Sequence, residues 1–341
     1  MQPLVSIIVP CFNEEKYIRS FLESILLQDY PAEKTEVFII DGMSCDHSRE
    51  IIGEYCERDH RFRLLLNEQR FVPFALNMAI RQAQGEVIVR MDAHSGYPVI
   101  YISTLVRNLL ELKADNVGGV WRTNPANNSL KARAIAAAQS SLFGVGDSHY
   151  RLGALGIRQV DTVPFGCFPK SIFDRIGMFD EELLRNQDDE FNARIIENGG
   201  TIYLIPEVVI DYYARATVSS LARMFFQYAF FKPLVNLKLK RPATIRQFIP
   251  PLFVIFLFFG WLGMLVSPLL SYVYAAGAGI YLAANLFFTI KSILESRRVA
   301  LVLYLPWLFF LQHLSYGIGY LAGIVNFVLL KKSLTTLITS R

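Results

Sequence analysis

Residues 5–10, Val-Ser-Ile-Ile-Val-Pro, form an apolar, β-branched run closed by proline. Behind it Ile18, Phe21, Leu22, Ile25 and Leu26 recur at the three- and four-residue spacing of one helix face. The pattern predicts a strand, then a helix. It repeats, with strands expected near 36–41, 62–66 and 86–91 and helices near 47–57 and 73–83. Such alternation predicts a parallel sheet covered on both faces, with ligands gathering at the carboxyl ends of the strands. Further along, a short apolar segment at 162–168 and a strand at 201–205 continue a mixed α/β pattern. No internal repeat or low-complexity linker separates these elements.

The pattern changes at the end of the chain. Residues 248–290 hold no Asp, Glu, Lys, Arg or His, and residues 299–330 hold only His313 among those types. Each stretch exceeds the ~20 residues needed to cross a bilayer. The 52% hydrophobic content is therefore concentrated in a membrane region that follows an ordinary globular domain. An inside start sends a span at 248–270 outward and one at 272–290 back, which leaves the basic 291–298 segment inside. The last stretch, with Pro306, Gly317, Gly319 and Gly323, fits either a kinked third span or a re-entrant hairpin, for three or four spans in all. Lys331-Lys332 after it favours the cytosol. His313 is expected to face the protein interior, as ionisable groups in membranes do.

The formal charge is only +4, but its distribution matters. Arg215, Arg223, Lys232, Lys238, Lys240, Arg241 and Arg246 occur with no acid between Tyr212 and Phe248. A basic collar just before a membrane span favours anionic lipid headgroups over nucleic acid. Within it, Leu221, Met224, Phe225, Tyr228 and Phe231 predict an amphipathic helix over 217–240, either in the headgroup plane or in a protein core. The N-terminal twelve residues lack the basic start and the long apolar core of a secretory signal, so the globular domain is expected in the cytosol. Cys11, Cys45, Cys56 and Cys167 show no paired spacing for zinc or a disulfide framework, which suits a reducing compartment.

Unusual polar residues cluster where the predicted strands end: Cys11-Phe12-Asn13-Glu14, Asp41-Gly42 and Asp92-Ala93-His94. No phosphate-cradling glycine motif of the dinucleotide or P-loop type follows any of these strands. In an extended backbone residues two apart point the same way, so Asp92 and His94 can converge on a divalent ion such as Mn²⁺. A plain turn would account for the tripeptide as well. The segment Asn186-Gln187-Asp188-Asp189-Glu190-Phe191-Asn192-Ala193-Arg194 reads as the first turns of a helix. Its three acids cannot share one direction, because a helix turns about 100° per residue. Asp188 lies on the face of Phe191 and Ile195, while Glu190 and Arg194 have the spacing of an i,i+4 ion pair.

Taken in order, Val5 to Glu15, Ile39-Ile40-Asp41-Gly42 with Ser44 and Asp46, Ala75-Leu76-Asn77, Gly85 to Ile88 and Asp92-Ala93-His94 carry a resemblance over about residues 4–235. They resemble family 2 inverting nucleotide-sugar glycosyltransferases of GT-A fold. The Arg90-to-His94 form and the later spans look like the branch of succinoglycan-type membrane glucosyltransferases. The resemblance implies a Rossmann-like α/β nucleotide-diphospho-sugar transferase domain followed by an α-helical transmembrane region. The divisions expected are a cytosolic domain at 1–214, a basic interfacial segment at 215–247 and transmembrane helices at 248–330.

By the same resemblance Pro10, Phe12, Glu14, Asp41, Asn77 and Asp92 serve the nucleotide-sugar. Phe12 stands where a base-stacking Tyr is usual, and Asp41 would accept the uracil N–H. Asp92 and His94 would hold Mn²⁺ or Mg²⁺, with His94 replacing the usual second acid. Asp188 would be the catalytic base, with Gln187 in place of the first acid of the usual pair. Residues 163–168 and Phe179-Asp180-Glu181 resemble acceptor-side loops. The QxxRW signature of processive members is missing, since 223–228 reads Arg-Met-Phe-Phe-Gln-Tyr, and this implies addition of a single sugar. The implied partners are a UDP-sugar donor, a polyprenyl-linked lipid or saccharide acceptor and membrane lipids, at a bacterial inner membrane with the catalytic domain cytoplasmic.

Overall fold

The computed structural model describes residues 2–331; Lys332 of the closing lysine pair lies outside them. The chain divides into two compact units, one formed by residues up to Arg122 with His149–Tyr212, the other by Thr123–Ser148 with the residues from Tyr213 on.

The elements of the first half are β1 (Val5–Cys11), α1 (Ile18–Leu26), β2 (Thr35–Asp41), α2 (Ser48–Arg58), β3 (Phe62–Leu66), α3 (Val72–Gln82), β4 (Val87–Arg90), β5 (Ser95–Gly96), α4 (Tyr101–Glu111) and β6 (Asn116–Asn124). There follow α5 (Leu130–Gln139), α6 (Leu142–Val145), α7 (His149–Leu152), β7 (Arg158–Gln159), β8 (Cys167–Pro169), α8 (Ser171–Ile176), α9 (Gln187–Glu197) and β9 (Ile202–Tyr213). The chain ends in α10 (Val218–Leu239), α11 (Ile249–Phe259), α12 (Pro268–Ser296) and α13 (Leu305–Gly323).

One sheet organises the first unit, in the order β3-β2-β1-β4-β8-β6-β9-β5, with β7 paired to β9. Strands β1 to β4 are mutually parallel, as the alternation predicts. In the second half, where the sequence predicts only a mixed α/β pattern, β8 runs antiparallel to β4 and to β6. A turn with left-handed backbone at Phe165 (φ 63°) and Gly166 (φ 93°) feeds β8 into the sheet in the reverse direction. No helix lies between β7 and β8, so the strand–helix alternation on which the parallel expectation rests is not present there.

The predominantly apolar character of β1, interrupted only by the buried Ser6 whose hydroxyl donates to Glu36 at 2.6 Å, has a direct cause. Val5, Ile7 and Val9 pack with Ile18, Phe21, Leu22 and Ile25 of α1 on one face, while Ile8 packs with Phe38, Leu76, Ala79 and Ile80 on the other. A strand covered on both sides has no polar face to alternate.

A boundary falls between Tyr212 and Tyr213, close to the division expected at 214, but residues 123–148 group with the later residues. Helix α5 buries Ala134, Ile135, Ala136 and Ala138 against Leu221, Met224, Leu305, Leu308 and Phe309. Small alanines read as a generic helix in sequence, whereas here they let neighbouring helices approach closely.

Three helical stretches are long and apolar enough to cross a membrane among the described residues: Ile245–Leu265, Pro268–Ser296 and Leu305–Leu329. The first is shorter than expected, because the Ser267 hydroxyl accepts from the Leu269 N–H and Pro268 opens the next helix. The last is one continuous helix with Pro306 in its first turn, so the proline starts the helix instead of kinking it. Its glycines have another task. A Cβ on Gly319 would lie 2.4 Å from the Phe226 carbonyl oxygen, and one on Gly323 would lie 2.2 Å from that of Phe230. Spaced four apart on α13, they bring the α10 backbone into contact, as small residues do between membrane helices. The apolar side of α10 is therefore buried in protein, with Leu221, Met224, Phe231 and Val235 all covered. His313 faces inward as expected, its Nδ1 3.0 Å from the Tyr281 hydroxyl and its Nε2 2.7 Å from the Phe143 carbonyl oxygen.

Replacing Gly323 by Leu is expected to destabilise the second unit by at least ~1–3 kcal/mol, since helix backbone cannot yield as a side chain does. Gly279→Leu, at a position with nothing within 4 Å, is the control. Equal melting temperatures for the two variants in detergent would contradict the close-packing role.

Candidate active site at the carboxyl edge of the sheet

Parallel pairing aligns the ends of β1 and β2 so that Cys11 stands opposite Asp41, and Ile8 of β1 stands opposite Arg90 of β4. The loop after β1 is stapled to the loop after β2. Ser44 Oγ accepts from the Asn13 N–H (2.8 Å), Ser48 Oγ from the Glu14 N–H (2.7 Å) and Asn13 Oδ1 from the Cys45 N–H (2.9 Å). Asn13 adopts left-handed backbone (φ 56°), which its residue type tolerates. Serine and asparagine at these positions thus satisfy loop amides that the sheet cannot reach.

Asp41 is fully buried at this edge. Its Oδ2 accepts from the Ser44 N–H at 3.0 Å and lies 3.5 Å from Arg49 Nε. Its Oδ1 has no partner among the described residues. A buried carboxylate oxygen without a donor is costly, so the position is suited to a ligand N–H. Phe12 is 47% exposed, unusual for phenylalanine and compatible with a stacking surface. Burial, reinforced by Asp41 and Glu14, drives the Cys11 thiol far above its ordinary range, so it is no nucleophile at neutral pH.

The extended geometry anticipated for Asp92 and His94 is not what forms. Strand β4 ends at Arg90, and a turn follows in which the Ser95 N–H donates to the Asp92 carbonyl at 3.2 Å. The turn sends the two side chains to different partners. His94 Nδ1 is 3.0 Å from Glu14 Oε1, which links two residues that sequence assigned to separate tasks. Asp92 Oδ1 accepts from Arg90 at 3.2 Å, while its Oδ2 has no partner among the described residues.

Arg90 also donates to Asp188 Oδ1 at 2.5 Å, joining residues 98 apart in sequence. Asp188 occupies the first turn of α9. That helix is held by ring packing: Phe191 lies 4.5 Å from Phe179, 5.2 Å from Phe173 and 5.6 Å from Phe168 between centroids. Glu190 turns the other way and pairs with Arg194 at 2.5 Å, the i,i+4 contact its spacing predicts. Burial pushes the Asp188 carboxyl up; Arg90 pulls it down, Asp92 and Asp189 add to the rise, and the net direction is upward from the ordinary aspartate value. Arg90 itself remains charged, because the two carboxylates outweigh the burial that opposes it. The Asp188 Oδ2 has no partner among the described residues.

Asn77 has a different environment. It is 1% exposed; its amide nitrogen donates to the Phe179 carbonyl (2.9 Å) and to Glu181 (2.8 Å), and its oxygen accepts from the Phe179 N–H (3.0 Å). It ties α3 to the 179–181 loop, with its hydrogen-bonding capacity used by protein.

For a divalent ion, the donor chemistry fits a sparse site. Asp92 offers a hard oxygen, and His94 has the carboxylate-bonded Nδ1 usual for metal-binding imidazoles. No group of three or more His, Cys, Asp or Glu side chains suited to a metal occurs among the described residues. An ion here would complete its shell from phosphate oxygens and water, as Mg²⁺ commonly does. Arg90 is the residue that sequence reasoning left without a role; its signal was a charge closing the otherwise apolar run Val87-Ile88-Val89.

Comparison with known proteins agrees with this architecture. The glycosyl transferase family 2 description matches residues 6–176. A dolichyl N-acetyl-alpha-D-glucosaminyl phosphate 3-beta-D-2,3-diacetamido-2,3-dideoxy-beta-D-glucuronosyltransferase of Methanococcus voltae is 29% identical over 333 residues, covering 94% of this chain and 97% of that protein. The succinoglycan biosynthesis protein ExoA of Rhizobium meliloti (strain 1021) is 29% identical over 311 residues, covering 88% and 92%. Among solved structures, the mannosyltransferase PcManGT from Pyrobaculum calidifontis, in complex with GDP-Man and Mn²⁺, has a TM-score of 0.58 at 21% identity, covering 97% of this chain and 89% of that one. The fold is thus a GT-A-like α/β domain followed by helices that are candidate membrane spans.

Asn77→Ala is expected to lower stability by about 1–3 kcal/mol, through the orphaned Phe179 amide, with little change in nucleotide affinity. Thermal unfolding and UDP titration of the same preparation check this. A large affinity loss at unchanged stability would return Asn77 to the binding surface.

Proposed function

The chain belongs to glycosyl transferase family 2, and on that footing we propose that it transfers a single hexose, with inversion, from a UDP-sugar to a lipid-linked saccharide at the cytoplasmic face of the cell membrane. The observation that carries this reading is the approach of Asp188 to Asp92 through one shared arginine, which sets a base beside the residue expected to face the donor diphosphate.

The steps assigned to the chain's own residues are few. Asp41 Oδ1 receives the base N–H, Phe12 stacks on the ring and Pro10 and Glu14 border the nucleotide. Asp92 and His94 would hold Mn²⁺ or Mg²⁺, which supplies positive charge to the diphosphate when bound. Asp188 Oδ2 takes the proton of the acceptor hydroxyl as that oxygen bonds to the anomeric carbon. The bond from that carbon to the diphosphate oxygen breaks, and UDP carries away the electron pair. One displacement without a covalent intermediate inverts the anomeric centre. Cys11 and Cys167 are buried as neutral thiols, which unsuits both as nucleophiles for a double displacement.

The acceptor assignment rests on three observations: the candidate spans, a relative named for succinoglycan biosynthesis and another named for a dolichyl phosphate-linked sugar. Polyprenyl phosphate itself is the second reading, which the dolichyl phosphate in that name also favours. Exposed Arg215, Arg223, Lys240 and Arg241 suit contact with anionic headgroups.

Membranes holding the protein, given labelled UDP-hexoses, divalent metal and extracted lipid acceptor, are expected to incorporate label into lipid. Asp188→Asn should reduce the rate by about 10²–10⁴-fold, the range of a lost general base. Binding of UDP without transfer from any donor would instead indicate a silent nucleotide-sugar-binding scaffold. The lipid product separates the acceptor readings, as a monophosphate-linked sugar or an extended oligosaccharide.

Because Asp188 must be ionised to accept a proton and its pKa is raised, activity should climb with pH through an acid limb above the ordinary Asp value of ~3.9. An acid limb of kcat/KM at or below that value would rule Asp188 out as the titrating base.

A further inference from the structure

Arg90 is a buried charged side chain at the carboxyl edge, held through both of its terminal nitrogens. It is 7% exposed, with one terminal nitrogen on Asp188 Oδ1 and the other on Asp92 Oδ1. Its guanidinium lies over the Phe165 ring at 5.7 Å, and its backbone N–H donates to the Gly166 carbonyl at 3.0 Å. Phe165 holds this place in left-handed backbone, which costs a bulky residue energy that its surroundings must offset. Gly166 follows at φ 93°, where an added Cβ would fall 2.4 Å from the Phe168 ring. A strained turn, an aromatic cover and two carboxylates thus all fix one guanidinium.

We propose that Arg90 is a positioning residue, whose planar fork sets the separation and orientation between the base Asp188 and the diphosphate-side acid Asp92. The inference rests on the reading above and adds to it the group that registers the two halves of the site. By engaging Oδ1 of each carboxylate, Arg90 turns each Oδ2 away from itself, toward acceptor hydroxyl on one side and donor phosphate on the other. Asp92, in the turn after β4, and Asp188, at the start of α9, each accept a hydrogen bond from this one side chain, and Arg90 and Asp188 are 98 residues apart in sequence. A point charge cannot replace the fork, because an ammonium lacks two donors held in one plane at a fixed angle, one for each carboxylate.

The test is kinetic, on full-length protein in membranes or detergent, with rates expressed per folded molecule and UDP affinity measured alongside. Arg90→Gln should lower kcat by ~100-fold or more, the size of effect expected from misplacing a reacting group, while donor KM and UDP affinity stay within about threefold. Arg90→Lys keeps the charge and should still lose about tenfold or more in kcat. Wild-type kcat in either folded variant overturns the proposal. So does a rate loss matched by an equal loss of UDP affinity, which would make Arg90 a donor-binding group only. Should Arg90→Gln fail to fold, Arg90→Lys carries the test alone. Absence of transfer by wild-type protein would overturn the functional reading and this proposal together, whereas transfer by wild type with unchanged variants overturns this proposal alone.

Discussion

A buried guanidinium needs its charge met inside the protein, and the carboxyl edge of this sheet is built around that need. Arg90 ends a strand whose other residues are apolar, and the charge is met by Asp92 from the next turn and Asp188 from a distant helix. Moving such ions out of water costs several kcal/mol each, offset only by good geometry and further hydrogen bonds. That requirement explains why α9 is secured by a cluster of phenylalanines and why Phe165 accepts an unfavourable backbone conformation. If α9 shifted, a charge would be left unpaired in a poorly solvated place.

The part of the edge formed by the loops after β1 and β2 uses a different device. Its loops are joined by backbone amides donating to Ser44, Ser48, Asp46 and Asn13, so their shape exists before any ligand binds. Asp41 Oδ1 is left without a partner among the described residues. Pre-formed loops beside an unmatched buried acceptor favour specific recognition, since a ligand lacking the matching donor leaves that oxygen unsatisfied. The His94–Glu14 contact ties these loops to the turn that carries Asp92.

The second unit shows how apolar helices are held without relying on burial alone. Gly319 and Gly323 remove side chains where α10 meets α13, so backbone contacts backbone over successive turns. His313 adds a fixed polar link from α13 to Tyr281 and to the Phe143 carbonyl. Dispersion over a close interface and a few satisfied polar groups are the forces that remain available when the surroundings are as apolar as the helices themselves.

Much of this was written in the sequence because it depends on local periodicity and on side-chain type. The parallel β1–β4 half, the helices between those strands, the apolar spans and the gathering of Asp41, Asp92 and Asp188 as candidates all follow from spacing, flanking residues and the family pattern. The antiparallel half, the transfer of 123–148 to the second unit and the single continuous last span were not legible. They turn on one left-handed turn at Phe165-Gly166, on alanines of α5 whose size matters only against a neighbour, and on glycines that face a backbone. Arg90 could be seen as an odd charge, but its role could not, since Asp188 lies 98 residues away in sequence. Sequence by itself determined which residues are chemically able to act. Only the tertiary structure decided which of them meet, because desolvation and hydrogen-bond satisfaction act through space and carry no period along the chain.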